Sequence, residues 1–280
     1  MTGKKRRPST EPMYSGGNRR DFPITTGYDS VDSIDFIKSH MSQSQSQHIL
    51  IYQGFDNGRF SGCFASSKMY SPRPLCSWEI QRNVDSFLKS VNEHDQENGN
   101  SEQIYSLSCD ENLGFAVFFI AKYGTAQAIV TNLTDAKKKS EDGFKITSVA
   151  ALGSTFYIVM TKGTREYRRK SQVSQICDTW KQTYDEINEE YKAGYTVTGI
   201  CYSSGRQKYL FVMTETPKVQ SSYYFDDTAV ALNWMEEQHH VGYHPTIIFN
   251  IPTLLNKTLV VMTTDQNRLS YEYKFGYKFE

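Results

Sequence analysis

Gly143-Phe144-Lys145-Ile146-Thr147-Ser148-Val149, followed by an apolar run ending Val159-Met160-Thr161, decides the fold because it comes back twice. The second copy is Gly194-Tyr195-Thr196-Val197-Thr198-Gly199-Ile200 with Val212-Met213-Thr214. The third is Gly242-Tyr243-His244-Pro245-Thr246-Ile247-Ile248 with Val261-Met262-Thr263. The glycines stand 51 and then 48 residues apart, the tripeptides 53 and then 49. A shared tripeptide arises by chance; two markers in phase three times define an internal repeat.

Each unit reads as three strands and a helix. Strand one alternates, with Phe144, Ile146, Ser148 and Ala150 on one face. Strand two, Phe156-Tyr157-Ile158-Val159-Met160, is apolar throughout, as a strand covered on both faces must be. Strand three, Lys170-Ser171-Gln172-Val173-Ser174, is more polar and reads as an outer strand. The segment 177–192 then carries Trp180, Tyr184, Ile187 and Tyr191 on one helical stripe and stops at Gly194, in phase with a C-terminal cap. Trp78, Trp180 and Trp234 are each expected to follow a third strand and open such a helix. The copy that lacks a tryptophan has a shortened helix near Leu133, and the helix after Trp78 is expected to bury Ile80, Val84, Phe87, Leu88 and Val91. Degenerate copies of the strand pair lie at Ile104–Cys109 with Phe115–Ile120, and at His48–Tyr52 with Arg59–Phe64.

One three-stranded sheet with one helix cannot cover its own apolar strand, so neighbouring units must. The expectation is a mainly β protein with helices, a propeller-like ring of 4–5 repeats, each three antiparallel strands plus one helix. An open α/β solenoid is the alternative. Closure removes exposed edges, and the alternating stretch Tyr271–Tyr277 is the expected closing strand, beside the N-terminal strands. The organisation is a basic arm over 1–32 and one repeat domain over 33–280, in units of about 48–100, 101–142, 143–193, 194–241 and 242–280. Gly143, Gly194, Gly242, Trp78, Trp180 and Trp234 are its structural markers.

These motifs resemble the repeated region that follows the kinase domain in plant casein kinase I-like photoregulatory kinases. There a Trp-led helix runs into Gly-aromatic-x-Ile/Val-Thr-Ser and then a strand ending Val-Met-Ser/Thr, often followed by Lys-Gly-Thr. This chain has Val159-Met160-Thr161-Lys162-Gly163-Thr164 in that place. The resemblance covers about residues 100–275 and implies a nuclear or cytoplasmic accessory domain that docks partners. The kinase signatures are missing: no glycine-rich loop over phosphates, no Val-Ala-Ile-Lys, no His-Arg-Asp and no Asp-Phe-Gly.

Formal net charge is zero, with 31 basic and 31 acidic side chains, which argues against a globally basic nucleic-acid binder. The balance is uneven. Lys4, Lys5, Arg6, Arg7, Arg19 and Arg20 against Glu11 give the first 20 residues +5, and the rest carries −5. The arm, rich in Gly, Ser, Thr, Pro and Arg, lacks the apolar content to fold by itself, and its Lys4–Pro8 cluster fits a nuclear-import signal. Five scattered cysteines without a CxxC pair or a secretory leader read as thiols in a reducing, intracellular compartment, nuclear or cytoplasmic, and no run is long enough for a membrane span.

No catalytic constellation is expected. His239, His240 and His244 cluster, but Gly242 and Pro245 break a helix there and no further zinc ligand is at hand. Cys109 and Cys201, at matching strand positions, read as small core residues, and Asp227 as a helix cap. No cofactor and no metal site is expected. The candidate interaction residues are the six basic side chains of the arm and the patch Arg165, Tyr167, Arg168, Arg169 and Lys170, which suits phosphate or RNA contact as well as a solvated outer strand. The expected function is a non-catalytic protein-interaction scaffold, as one subunit of a larger assembly anchored by the arm. A chromatin or nucleic-acid docking factor, and an enzyme with its site in the propeller funnel, are the alternatives.

Overall fold

The computed structural model describes residues 48–56, 59–66, 76–96, 102–121, 124–164, 169–215, 220–225, 230, 233–235, 237–238, 241, 243–254, 257–264 and 271–278. Strands β1 (His48–Asp56) and β2 (Arg59–Ser66) come first. Four units follow, each an outer strand, a helix, an inner strand and a middle strand. They are β3 (Cys76–Gln81), α1 (Val84–Gln96), β4 (Glu102–Asp110) and β5 (Gly114–Ala121); then β6 (Ala126–Val130), α2 (Leu133–Glu141), β7 (Phe144–Leu152) and β8 (Thr155–Lys162). The third is β9 (Gln172–Cys177), α3 (Trp180–Lys192), β10 (Tyr195–Ser203) and β11 (Lys208–Glu215). The fourth is β12 (Gln220–Phe225), β13 (Tyr243–Asn250) and β14 (Thr258–Thr264), with helical residues 233–235 after β12. β15 (Tyr271–Lys278) comes last.

Each unit is one three-stranded antiparallel sheet with its middle strand between the other two, here called sheets one to four. Sheet five is β1-β2-β15, so the alternating Tyr271 segment does pair with an N-terminal strand, β2. The molecule is mainly β, with few helices. The inner strands neighbour one another: β4 lies beside β1 and β7, β10 beside β7 and β13, and β13 beside β1.

Four expectations are corrected. The third strand of a sequence unit belongs to the next sheet: β9, placed in unit 143–193, pairs with β11 and not with β8. The helix after an outer strand turns the chain back onto the same sheet, so the sequence repeat runs one strand and one helix out of phase with the sheets. Trp78 opens no helix. It is a buried residue of β3, opposite Phe118. Ile80 is likewise in that strand, and Leu88 is exposed, so α1 packs inward through Val84, Phe87 and Val91. Trp180 opens α3 as expected, and Trp234 is helical. Gly242 and Asp227 lie outside the described residues.

Helix ends follow from local chemistry. Asn132 and Thr179 are N-caps whose side chains accept from the amides of Asp135 and Gln182. Gly143 and Gly194 follow the C-caps at φ +88° and +91°, a conformation that favours glycine. The shortened helix near Leu133 is α2, of 9 residues against 13 in α1 and α3. The middle strands β5, β8 and β11 are buried along nearly their whole length, with Phe115 to Phe119, Phe156 to Met160 and Tyr209 to Met213 all inside. The cores sit between sheets. Phe87 of α1 stacks on Phe115 at 4.5 Å and meets Tyr157 of sheet two edge-on. Trp180 and Ile187 of α3 pack with Tyr209 and Phe211 of their own sheet and with Ile247, Leu259 and Val261 of sheet four. Each helix is therefore a wedge between two sheets.

Candidate functional site

The polar groups that sequence reading did not single out are the ones the fold brings together. Every inner strand carries a β-bulge at one place, between Leu50 and Tyr52, Ile104 and Ser106, Ile146 and Ser148, Val197 and Gly199, and Pro245 and Ile247. A bulge leaves backbone groups outside the ladder, and at three of these places a glutamine from the next sheet takes them. The Gln172 amide oxygen accepts from the Ile146 N–H at 2.8 Å, and its nitrogen donates to the Ile146 carbonyl at 2.9 Å and to Thr214 Oγ1 at 3.0 Å. Thr214 in turn shares a hydrogen bond with Thr198, the bulged residue of the same sheet, at 2.9 Å. Gln127 repeats this on Ile104, Thr161 and Thr147. Gln220 repeats it on Val197, Thr263 and Thr246, and also accepts from the Tyr191 hydroxyl at 2.6 Å. Burial pushes that phenol up to about 12, so it remains a donor. These side chains form three matching staples, each fixing a sheet to the inner strand before it.

Nearer the inner edge the strands approach closely. Ser148 accepts from the Leu107 N–H at 3.0 Å, and a Cβ on Gly199 would stand 2.9 Å from Val149 Cγ2. At the hairpins between inner and middle strands, Glu111 accepts from the Gly153 N–H at 3.1 Å and from the Ser204 hydroxyl, and Ser203 donates to the Gly153 carbonyl at 2.7 Å. Glu111 thus ties three consecutive sheets together.

Sheet one has a charged cluster instead. The His94 ring stacks on Phe119 at 4.0 Å, with Nε2 2.9 Å from Glu79 and Nδ1 2.7 Å from Glu102. Ser90 and Gln81 donate to Glu79 at 2.5 and 2.8 Å, and Ser77 to Glu102 at 2.8 Å. Burial works to raise the Glu79 carboxyl, but the bonds from Ser90, His94 and Gln81 outweigh it and hold the group below the ordinary carboxylate range. Both ring nitrogens face carboxylates, so the ring is held from two sides by Glu79 and Glu102. The arrangement clasps α1 to β3 and β4.

Cys201 is a buried thiol pushed well above its usual range by desolvation, and Cys109 at the matching position is pushed up for the same reason, so neither is poised as a nucleophile. Among the described residues no group of His, Cys, Asp or Glu is arranged to hold a metal, and no helix is long and apolar enough to cross a membrane. A shallow groove lies between α3 and sheet four, lined by Tyr184, Asn188, Tyr191, Ser222 and Leu259. Of the candidate interaction residues, Arg169 is exposed at φ +63° and Lys170 is half-buried; both precede β9, which starts at Gln172, so they are not in the outer strand itself. Lys4, Lys5, Arg6, Arg7, Arg19, Arg20, Arg165, Tyr167 and Arg168, with His239 and His240, lie outside the described residues. The glutamines carried a readable signal, since Gln172 and the Val-Met-Thr threonines are in the repeat itself. His94 carried none beyond its presence.

No curated protein matches the chain, and no solved structure does. Residues 120–279 match a family model described as Domain of unknown function (DUF7477), which spans sheets two to four and β15. That match covers more than half of the 280 residues, and the chain belongs to this family.

Proposed function

We propose that the five sheets close into a propeller-like ring, and that the ring is a non-catalytic protein-interaction scaffold with the basic arm as its second contact surface. One observation carries the reading: buried polar side chains are used to join one sheet to the next. The three staples, Ser148 on Leu107 and Glu111 across three hairpins all run between sheets. Closure is supported by the succession of inner strands β1, β4, β7, β10 and β13 back to β1, and by β15 completing the sheet that β1 and β2 begin. A body that uses its polar chemistry at its own joints offers partners a rigid surface. The likeness of the repeats to a kinase accessory region points the same way, towards docking in the nucleus or cytoplasm within a larger assembly.

Affinity capture tests this, using the full chain and a full-length variant with Lys4, Lys5, Arg6, Arg7, Arg19 and Arg20 changed to Gln. One set of partners is expected on both chains and a second set only on the unaltered one. Recovery of no specific partner on either chain counts against the scaffold. Binding to DNA or RNA that weakens steeply with added salt moves the function to nucleic-acid docking.

A further inference from the structure

The joints between sheets are of two kinds. Where sheet two meets sheet one, sheet three meets two and sheet four meets three, the outer strand carries Gln127, Gln172 or Gln220, and the middle strand opposite carries Thr161, Thr214 or Thr263. In sheets one and five the register puts other residues there. Cys76 stands opposite Ile120, and Tyr271 opposite Ala65. The bulged residues, Thr147, Thr198 and Thr246 in the stapled sheets, are Tyr105 and Ile51 in these two. Neither Cys76 nor Tyr271 has an amide that both donates and accepts. On β13, the inner strand of sheet four, the place of Ile146 and Val197 is taken by Pro245, which has no N–H to give. The carboxamide and both hydroxyls of the staple change together at the two joints that flank sheet five.

Sheet five is also the one whose strands lie on either side of the other four in the chain. We propose that β15 is exchangeable: β15 of one copy docks on β2 of another and links copies of this chain. The proposal rests on the ring reading above. The occupant follows from complementarity. A second copy presents the same strand in the register that β2 already accepts, from Tyr271 opposite Ala65 to Lys278 opposite Arg59. Exchange therefore trades one set of strand pairings for an identical set, and the outgoing strand carries Tyr271, opposite Ala65, where the stapled joints carry a glutamine opposite a threonine. Between the two forms lies chiefly the entropy of association, so the linked form grows with protein concentration.

Position 273 makes the test direct, because Tyr273 lies opposite Cys63. The unaltered chain is mixed with a Cys63→Ser/Tyr273→Cys chain, and the two are unfolded and refolded together at low and at high concentration. They are then oxidised with glutathione disulfide and their linked peptides mapped. The expected result is a disulfide between Cys63 of one chain and position 273 of the other, rising several-fold with concentration. In parallel, the unaltered chain refolded at high concentration is sized by light scattering, with dimers and larger species expected. A third arm oxidises Tyr273→Cys on its own, at low concentration, where the bond to Cys63 forms within the chain. That internal bond, with no interchain bond in the mixture and a monomer at every concentration, overturns exchange and leaves the ring standing. Absence of the internal bond in folded protein overturns the β2–β15 pairing, and the ring reading with it.

Discussion

Sheet one and sheets two to four meet similar demands with different chemistry. Sheets two to four fix themselves to their neighbours through neutral groups, a carboxamide and two hydroxyls in each, repeated three times. Sheet one binds its own helix to its strands through His94 held between Glu79 and Glu102. The neutral staples fall inside the family match at 120–279 and the charged clasp outside it. A neutral staple keeps its strength across the whole pH range in which the protein folds. The carboxylate clasp is tied to the ionisation of Glu79. The comparison separates a joint that sets architecture from one whose strength depends on solution conditions.

The sharpest way to break this contrast is Gln172→Ala. It leaves the Ile146 N–H and carbonyl without their side-chain partner and Thr214, which is buried, without its donor. The expected cost is about 2–4 kcal/mol, read as a shift of the urea midpoint, and it should be the same at pH 5 and pH 7. A loss near zero would mean that the bonds do not stabilise the joint.

His94→Ala comes next, at about 1–3 kcal/mol. It leaves the Glu79 and Glu102 carboxylates without the imidazole between them and strips the ring that covers Phe119. His94→Gln should recover part of the loss through hydrogen bonding. Equal losses in both variants would show that only the stacking on Phe119 counts.

The third test is acid. Glu79 is held below its ordinary value in the folded chain, so the stability it contributes is fully present above the ordinary carboxylate range. It is lost as pH falls through the depressed value. Glu79→Gln removes that dependence. Between pH 5 and pH 3 the variant should lose less stability than the unaltered chain, measured by denaturation at each pH. Parallel curves would place the acid sensitivity elsewhere in the molecule.

How far these elements could be read in advance varied with how local their cause is. The apolar runs 156–160 and 210–213 declare themselves because a middle strand is covered on both faces. Gly143 and Gly194 declare the helix ends because their φ is positive. The pairing of β9 was not legible, since a polar strand next to a helix looks the same whichever sheet it joins. Trp78 misled because a large apolar residue before a helical stripe fits a strand end and a helix start alike. Gln172 and Thr214 were both visible, yet their meaning lies in a register between strands far apart in sequence, which composition and periodicity do not contain. The Glu79–His94–Glu102 clasp is of the same kind: three residues on three elements, joined only by the fold.

The smallest predicted effect asks whether a staple acts as a unit. Thr214→Val keeps the shape of the side chain and removes the hydroxyl that accepts from Gln172 and bonds Thr198. Alone it should cost about 1 kcal/mol. In the Gln172→Ala background the hydroxyl has already lost its donor, so the same change should cost less, and the pair together less than the sum of the two. A coupling of about 0.5 kcal/mol or more would mark cooperation between the side chains. Strict additivity would reduce the staple to separate contacts. The result also bears on sheet one, where Ile120 occupies the threonine position opposite Cys76. If the staple is cooperative, restoring one member there gains little, because its partners are missing, and this would explain why the whole set changes together at the joints around sheet five.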